Sequence, residues 1–447
     1  MTDVLYARSQ MAMSLAFHIV FAAIGIAMPV LMVAAEILMR RTGDPDYRTL
    51  AHRWAKGTAV LFAVGAVSGT VLSFELGLLF PGFMRHAGAI IGMPFSLEGF
   101  AFFTEAIFLG IYLYGWERIS PRAHLAAGVV VALSGALSGI FVVIANAWMN
   151  APTGFDLLNG RLVNIDPIAA MRNPAALTQT LHMTLAAYAA TGFAVAGLHA
   201  LRLLRKPAVA FDRRALALAL MVGAPAAVLL PVSGDLSARH VARWQPAKLA
   251  AMEGQFRTET GAPLRIGGWP DEATGQTRYA LEIPRALSLL AFHDPHAEVK
   301  GLDAFPRADW PPVAPVHVSF QVMVGLGSFM ALLAIISLVL MVRRRELDAH
   351  RWLLRALVAA TPMGFICVEA GWTVTEVGRQ PWIIQGVLRT ADAVTPMPGL
   401  VVPFVAFTLL YCALGLIVAW LLHQQVFRSA IPAATDTPRG TVAGRPT

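Results

Sequence analysis

The chain has 447 residues, of which 57% are apolar and 14% charged, and 35 basic against 27 acidic residues give a net charge of +8. Soluble domains carry about a quarter charged residues, so this composition excludes a soluble globular protein and indicates a polytopic membrane protein. The basic residues gather beside apolar stretches rather than in a soluble patch, which excludes nucleic acid as a partner, and Cys367 and Cys412 lie in apolar stretches that suit neither a disulfide framework nor a zinc site.

Nine apolar stretches reach bilayer length, at roughly residues 11–38, 57–80, 95–116, 125–148, 178–201, 215–233, 315–342, 353–377 and 400–423. The first is too long for a signal-peptide core and lacks a clear cleavage site, so it is expected to remain as a helix. The expected fold is all-α and polytopic, with about nine transmembrane helices in residues 1–233 and 315–427, a polar loop at 234–314 and a disordered tail at 428–447. Alternate connections concentrate arginine and lysine, as in Arg40, Arg41, Arg48, Arg53 and Lys56, and again in Arg343, Arg344 and Arg345. By the positive-inside rule the N-terminus and the long loop face outward and the C-terminus faces the cytoplasm. A loop of this length is usually functional or disordered. It contains a helix-like piece from Ala247 to Phe256, AKLAAMEGQF, and is expected to fold over the outer membrane face.

Few polar groups lie deep in the spans. His18 in the first and His182 in the fifth each admit two readings, a heme-iron ligand or a helix–helix hydrogen bond. In the third span Glu98 and Glu105 are seven positions apart, which puts both carboxyls on one helix face about 10 Å apart. Charge inside hydrocarbon is costly, so such a stripe marks a protein interior, a water path or a cofactor. Met323 in the seventh span is either core filler or the partner of His182 on a six-coordinate iron. Glu369 in the eighth is followed by Gly371, Trp372 and Glu376, and the small residue leaves room for a flat group. Arg379 in GRQPW, like Asn146 and Trp148 in IANAWMNAP, reads either as an interfacial anchor or as a holder of a heme propionate.

Five motifs then appear in a fixed order: RSQMAMSLAFH, GMPFSLEGFAFFTEAIFLGIYLYGW, IANAWMNAP, AKLAAMEGQF and VEAGWTVTEVGRQPW. Together they resemble subunit I of the cytochrome bd-type quinol oxidases over nearly the whole chain. The resemblance implies a quinol:oxygen oxidoreductase of the bacterial cytoplasmic membrane. Such an enzyme oxidises quinol outside and reduces oxygen to water with protons drawn from the cytoplasm. It implies a low-spin heme b on His182 and Met323. A high-spin pair, heme b with heme d or a third heme b, takes His18 and Glu369 as ligands without dividing them between the two irons. Glu98 corresponds to a carboxylate at the high-spin site, a possible further iron ligand, and Glu105 to one on the proton route. Lys248 and Glu253 correspond to the quinol-binding pair of the loop. A heme-free subunit II is the expected partner, and a small single-span subunit a further candidate.

The loop is of the short type, which resembles the branch called cyanide-insensitive. Gln321 stands where some members carry arginine, and the two glutamates of the third span are seven apart rather than eight. A diheme cytochrome b needs paired histidines on facing helices and a heme-copper oxidase a larger histidine set. Neither is present, because His199 and His317 lie near span ends. The rival outside redox chemistry is a proton-coupled transporter using Glu98, Glu105 and Glu369 as carriers; repeated halves and broken helices, common in transporters, are not apparent.

Overall fold

The computed structural model describes residues 3–206 and 209–424, so the tail at 428–447 lies outside the described residues. The helices in chain order are α1 (Asp3–Thr42), α2 (Pro45–Leu79), α3 (Pro81–Tyr114), α4 (Pro121–Asn150), α5 (Pro167–Met171), α6 (Ala176–Arg205), α7 (Ala210–Trp244), α8 (Pro246–Glu253), α9 (Ala286–Phe292), α10 (Val313–Val342), α11 (Arg351–Ala360), α12 (Met363–Val377), α13 (Thr390–Ala393) and α14 (Val401–Leu422). Among the described residues nine spans are long and apolar enough to cross a membrane, α11 and α12 together forming one of them. The described residues adopt the expected nine-span architecture.

The local chemistry explains the helix starts. Proline opens α2, α3, α4 and α5 in the first turn, where its missing N–H costs nothing. Asp44, Ser120 and Asp166 accept the free N–H groups just inside. Several rods outrun their apolar runs. Helix α3 begins at Pro81 instead of near 95, and α7 continues to Trp244, past the expected boundary at 233. Hydropathy locates the hydrocarbon slab, whereas helical hydrogen bonding continues beyond it. The eighth span does break: α11 ends at Ala360 and α12 begins at Met363, with Thr361 and Pro362 between them. Proline removes a backbone donor and clashes with the preceding turn, which corrects the expectation of unbroken helices.

The membrane helices form two four-membered rings. Helices α1, α2, α3 and α4 pack around one, and α6, α7, α10 and α12 around the other, with α1 and α4 against α6 joining them and α14 lying on α1 and α2. Small residues permit the closest approaches, as membrane helix packing favours. A Cβ on Gly192 of α6 would lie 2.5 Å from Gly223 Cα of α7, and one on Gly364 of α12 would strike Ala190 of α6. Exposed Phe74, Leu78, Phe100, Phe103, Leu409 and Leu416 face outward, an apolar surface suited to lipid or other membrane helices.

The long connection forms a layer over one end of the second ring, packed on α7 and α10. Its helix α8 packs on both and ends at Gly254, whose φ of +62° turns the chain so that Gln255 N–H donates to Ala250 O at 2.8 Å. Short antiparallel pairs follow, Leu264–Ile266 with Leu281–Ile283 and Trp269–Asp271 with Gln276–Arg278. The loop is therefore not helical throughout.

Candidate functional site

In the first ring His18 of α1 faces α2, with Nδ1 2.9 Å from Ser68 Oγ. The Ser68 hydroxyl donates to Val64 O of its own helix at 3.0 Å, so toward the imidazole it accepts. Nδ1 then carries the proton and Nε2 keeps a lone pair, the form that binds iron. The next residue, Gly69, leaves the ring its space: a Cβ there would stand 3.0 Å from His18 Cε1.

The second ring repeats this arrangement. His182 Nδ1 lies 2.9 Å from Ser233 Oγ, which donates to Leu230 O at 3.0 Å, and a Cβ on the following Gly234 would be 3.6 Å from His182 Cε1. Met323 of α10 faces α12, where a Cβ on Gly371 would meet its sulfur at 3.1 Å. Glu369 lies two residues earlier on α12, with Oε1 free of any hydrogen-bond partner. His199 pairs instead with Asp212 at 2.7 Å, and His317 bridges Met252 O and Gly267 O, so both are committed to the protein.

Glu98 and Glu105 both face α4. Ser138 donates to Glu98 Oε1 at 3.2 Å, and a Cβ on Gly135 would stand 3.1 Å from Glu105 Oε1. The glycine makes room for the carboxyl, whose Oε1 is buried and unpartnered.

At the loop end a hydrogen-bonded chain joins α8, α4 and α12. Lys248 of α8 donates to Asn150 Oδ1 at 2.7 Å and to Thr375 O at 3.2 Å, and Gln245 donates to the same Asn150 oxygen at 3.2 Å. Asn150 donates to Asn146 Oδ1 at 3.0 Å, Asn146 donates to Glu376, and Arg379 donates to the other oxygen of Glu376. Arg379 is only 2% exposed, and its Nε and Nη1 find no partner. A buried guanidinium with two donors left open suits a carboxylate ligand. Trp148 does not join this chain, because its indole N–H is spent on Thr153 O at 2.9 Å and its ring is buried in the apolar core.

Lys248 and Glu253 are five residues apart on α8, about 140° around the helix, and their surroundings differ. Burial, with Arg379 adding to it, pulls the Lys248 ammonium down to about 7. Burial pushes the Glu253 carboxyl up to about 8, against the opposing pull of Arg265. Near neutral pH both groups are poised to exchange protons. Gln321 ties α10 to the loop, accepting from Gly267 N–H at 3.0 Å and donating to Arg265 O at 2.9 Å. Ser68, Ser233, Gln245 and Asn150 join these sites without having stood out in the sequence. For Asn150 the signal was its spacing of four from Asn146.

The family model for cytochrome bd terminal oxidase subunit I matches residues 6–430. The chain belongs to that family. A Bacillus subtilis (strain 168) relative, provisionally named cytochrome bd menaquinol oxidase subunit I, is 38% identical over 94% of this chain and 96% of its own length. Cytochrome bd ubiquinol oxidase subunit 1 of the same organism is 32% identical, covering 98% and 97%. The solved bd oxidase of Geobacillus thermodenitrificans superposes with a TM-score of 0.90 at 40% identity, over 96% of this chain and 99% of that one. This bd oxidase subunit I is thus a multi-pass component of a respiratory terminal quinol oxidase. Its residues fit heme. Two imidazoles have Nε2 available, the Met323 thioether lies against Gly371, and Glu369 Oε1 is without a partner. The buried cation has open donors for a propionate.

Proposed function

We propose that His182 and Met323 supply the axial pair of a low-spin heme b. In the same reading His18 and Glu369 serve two high-spin hemes, one b and the other d or a further b, and Glu98 stands at their site. Bound heme supplies the one-electron carriers that connect a two-electron quinol to the four-electron reduction of oxygen. The observation that carries the assignment is the repeated wiring of the two histidines, each with Nδ1–H held by a helix-bonded serine and Nε2 left open. Arg379 and Asn146 position a propionate at the loop end, and Lys248 and Glu253 handle the quinol. Lys248 donates to a quinone oxygen, and Glu253, once ionised, accepts a quinol proton.

The arginine pattern orients the loop outward and the C-terminus toward the cytoplasm. Quinol oxidation then releases protons outside, and Glu105 and Glu98 relay cytoplasmic protons through a region without bulk water, so charge separates across the membrane. A heme-free subunit II covers part of the exposed apolar surface, and a small single-span subunit is a further partner.

The test is a dithionite-reduced minus air-oxidised visible spectrum of the purified complex, with pyridine hemochrome analysis. Three hemes, with a chlorin band if heme d is present, support the assignment. Absence of heme would leave the acids to a transporter.

A further inference from the structure

Between α1, α2 and α14 lies a buried polar cluster that the heme and quinol assignments leave unused. Gln10, Ser14, Glu75 and Tyr411 are 1%, 0%, 3% and 4% exposed. Gln10 Nε2 donates to Glu75 Oε1 at 2.8 Å. Beyond that bond, Gln10 Oε1, Ser14 Oγ, Glu75 Oε2 and the Tyr411 hydroxyl have no hydrogen-bond partner. Ser14 stands close to both the Glu75 carboxyl and the Tyr411 hydroxyl without closing a bond to either. The groups that face Glu75 are thus Gln10 and Ser14 from α1 and Tyr411 from α14, and among the described residues no salt bridge neutralises it.

A helix anchor would pair its polar atoms, since each one left buried and unsatisfied is costly. Four open atoms converging from three helices instead define a place for ordered water, which needs two to four polar partners. The cluster has a definite position. Gln10, Ser14 and His18 recur every four residues on α1, and Ser68 and Glu75 are seven apart on α2. Glu75 therefore lies on the seam that carries His18, about 10 Å nearer the loop end. Phe17 packs on Tyr411 at 4.7 Å between ring centroids, and Tyr6 on Phe404 at 5.9 Å, aromatic walls on either side. A charge change about 10 Å away in such a dry surrounding is strongly felt.

We propose that this cluster is a water-holding proton site in which Glu75 takes up and releases a proton as the heme on His18 changes charge. The inference rests on the reading of His18 as a heme ligand. When an electron from quinol arrives at that heme, a proton from the aqueous phase forms an O–H bond on the Glu75 carboxylate. The bond breaks again when the electron passes on to oxygen. Gln10 holds one carboxyl oxygen, and the water held by Ser14 and Tyr411 serves the other.

The experiment is spectroelectrochemical titration of the purified oxidase at several pH values, with redox-difference infrared spectra, on wild type, Glu75→Gln and Tyr411→Phe. Glu75→Gln keeps the shape and the Gln10 contact but removes the exchangeable proton. The expected result is a shallower dependence of the high-spin heme potential on pH, an unchanged low-spin slope and loss of one carboxyl band. Tyr411→Phe, which leaves the acid in place, is expected to shift that band without removing it. If Glu75→Gln fails to assemble, the Tyr411→Phe band decides alone. Slopes and bands identical to wild type in the variants that assemble overturn the proposal, as does an equal change in the low-spin and high-spin hemes. A His18→Ala variant with an unaltered heme spectrum overturns it differently, by removing the ligand assignment beneath it.

Discussion

Lys248 Nζ donates to Asn150 Oδ1 at 2.7 Å and so ties the loop helix to the C-terminal end of α4. Through Asn146 and Glu376 the same chain reaches Arg379, so the proposed quinol and propionate residues share one network. Groups in one network do not lose their energies independently. Asn150→Ala is therefore expected to lower kcat/KM for quinol about tenfold, the equivalent of about 1.4 kcal/mol. Lys248→Ala should do the same, and the double variant should lose little more than either. Normal heme content in all three excludes misfolding, and strictly additive losses would separate the two residues.

Glu253 gives a pH dependence of known sign. Its carboxyl is held up to about 8 by burial, so its basic form grows as pH rises through that value. Quinol oxidation limited by proton transfer to Glu253 should accelerate over the same interval, and Glu253→Gln should be slow and flat. Stability runs the other way: the contribution of the raised carboxyl is full below about 4.5 and is lost as pH rises through about 8. Lys248, depressed to about 7, opposes it, its contribution being lost as pH falls through that value. Thermal midpoints of wild type and Glu253→Gln across this range separate the two groups.

What the sequence made legible follows from which interactions are local. Apolar runs of bilayer length give the nine spans, and a spacing of seven puts Glu98 and Glu105 on one face, where Ser138 and Gly135 of α4 meet them. The AKLAAMEGQF helix is likewise local in origin. Ser68 and Ser233 escaped notice because a hydroxyl in a membrane helix usually bonds only its own preceding turn. Both do so here, and only the crossing of two helices reveals the imidazole on the other lone pair. Glu75 sits in a stretch read simply as hydrocarbon-spanning, and its partners Gln10 and Tyr411 are distant in sequence.

The two serines predict selective effects. A hydrogen bond from Nδ1–H makes an imidazole a more basic ligand, which favours the oxidised iron. Ser233→Ala should raise the potential of the low-spin heme and leave the high-spin hemes alone, and Ser68→Ala should do the converse. Potentiometric titration followed in the separate heme bands measures both, and a shift shared by all hemes would sink the assignment.

Glu105 and Gly135 allow the proton route to be tested from two helices. Glu105→Gln removes the exchangeable proton while keeping the volume of the side chain. Gly135→Val leaves the carboxyl intact but places a Cβ about where it must sit, only 3.1 Å from Oε1. If Glu105 carries protons to the oxygen site, both variants should reduce oxygen at least tenfold more slowly with quinol in excess. Anaerobic reduction of the low-spin heme by quinol should stay at the wild-type rate, because that step needs no proton from the opposite side. Stopped-flow measurement of both steps makes the comparison. Slowing of the anaerobic step would mean that Glu105 acts on the hemes rather than on proton delivery.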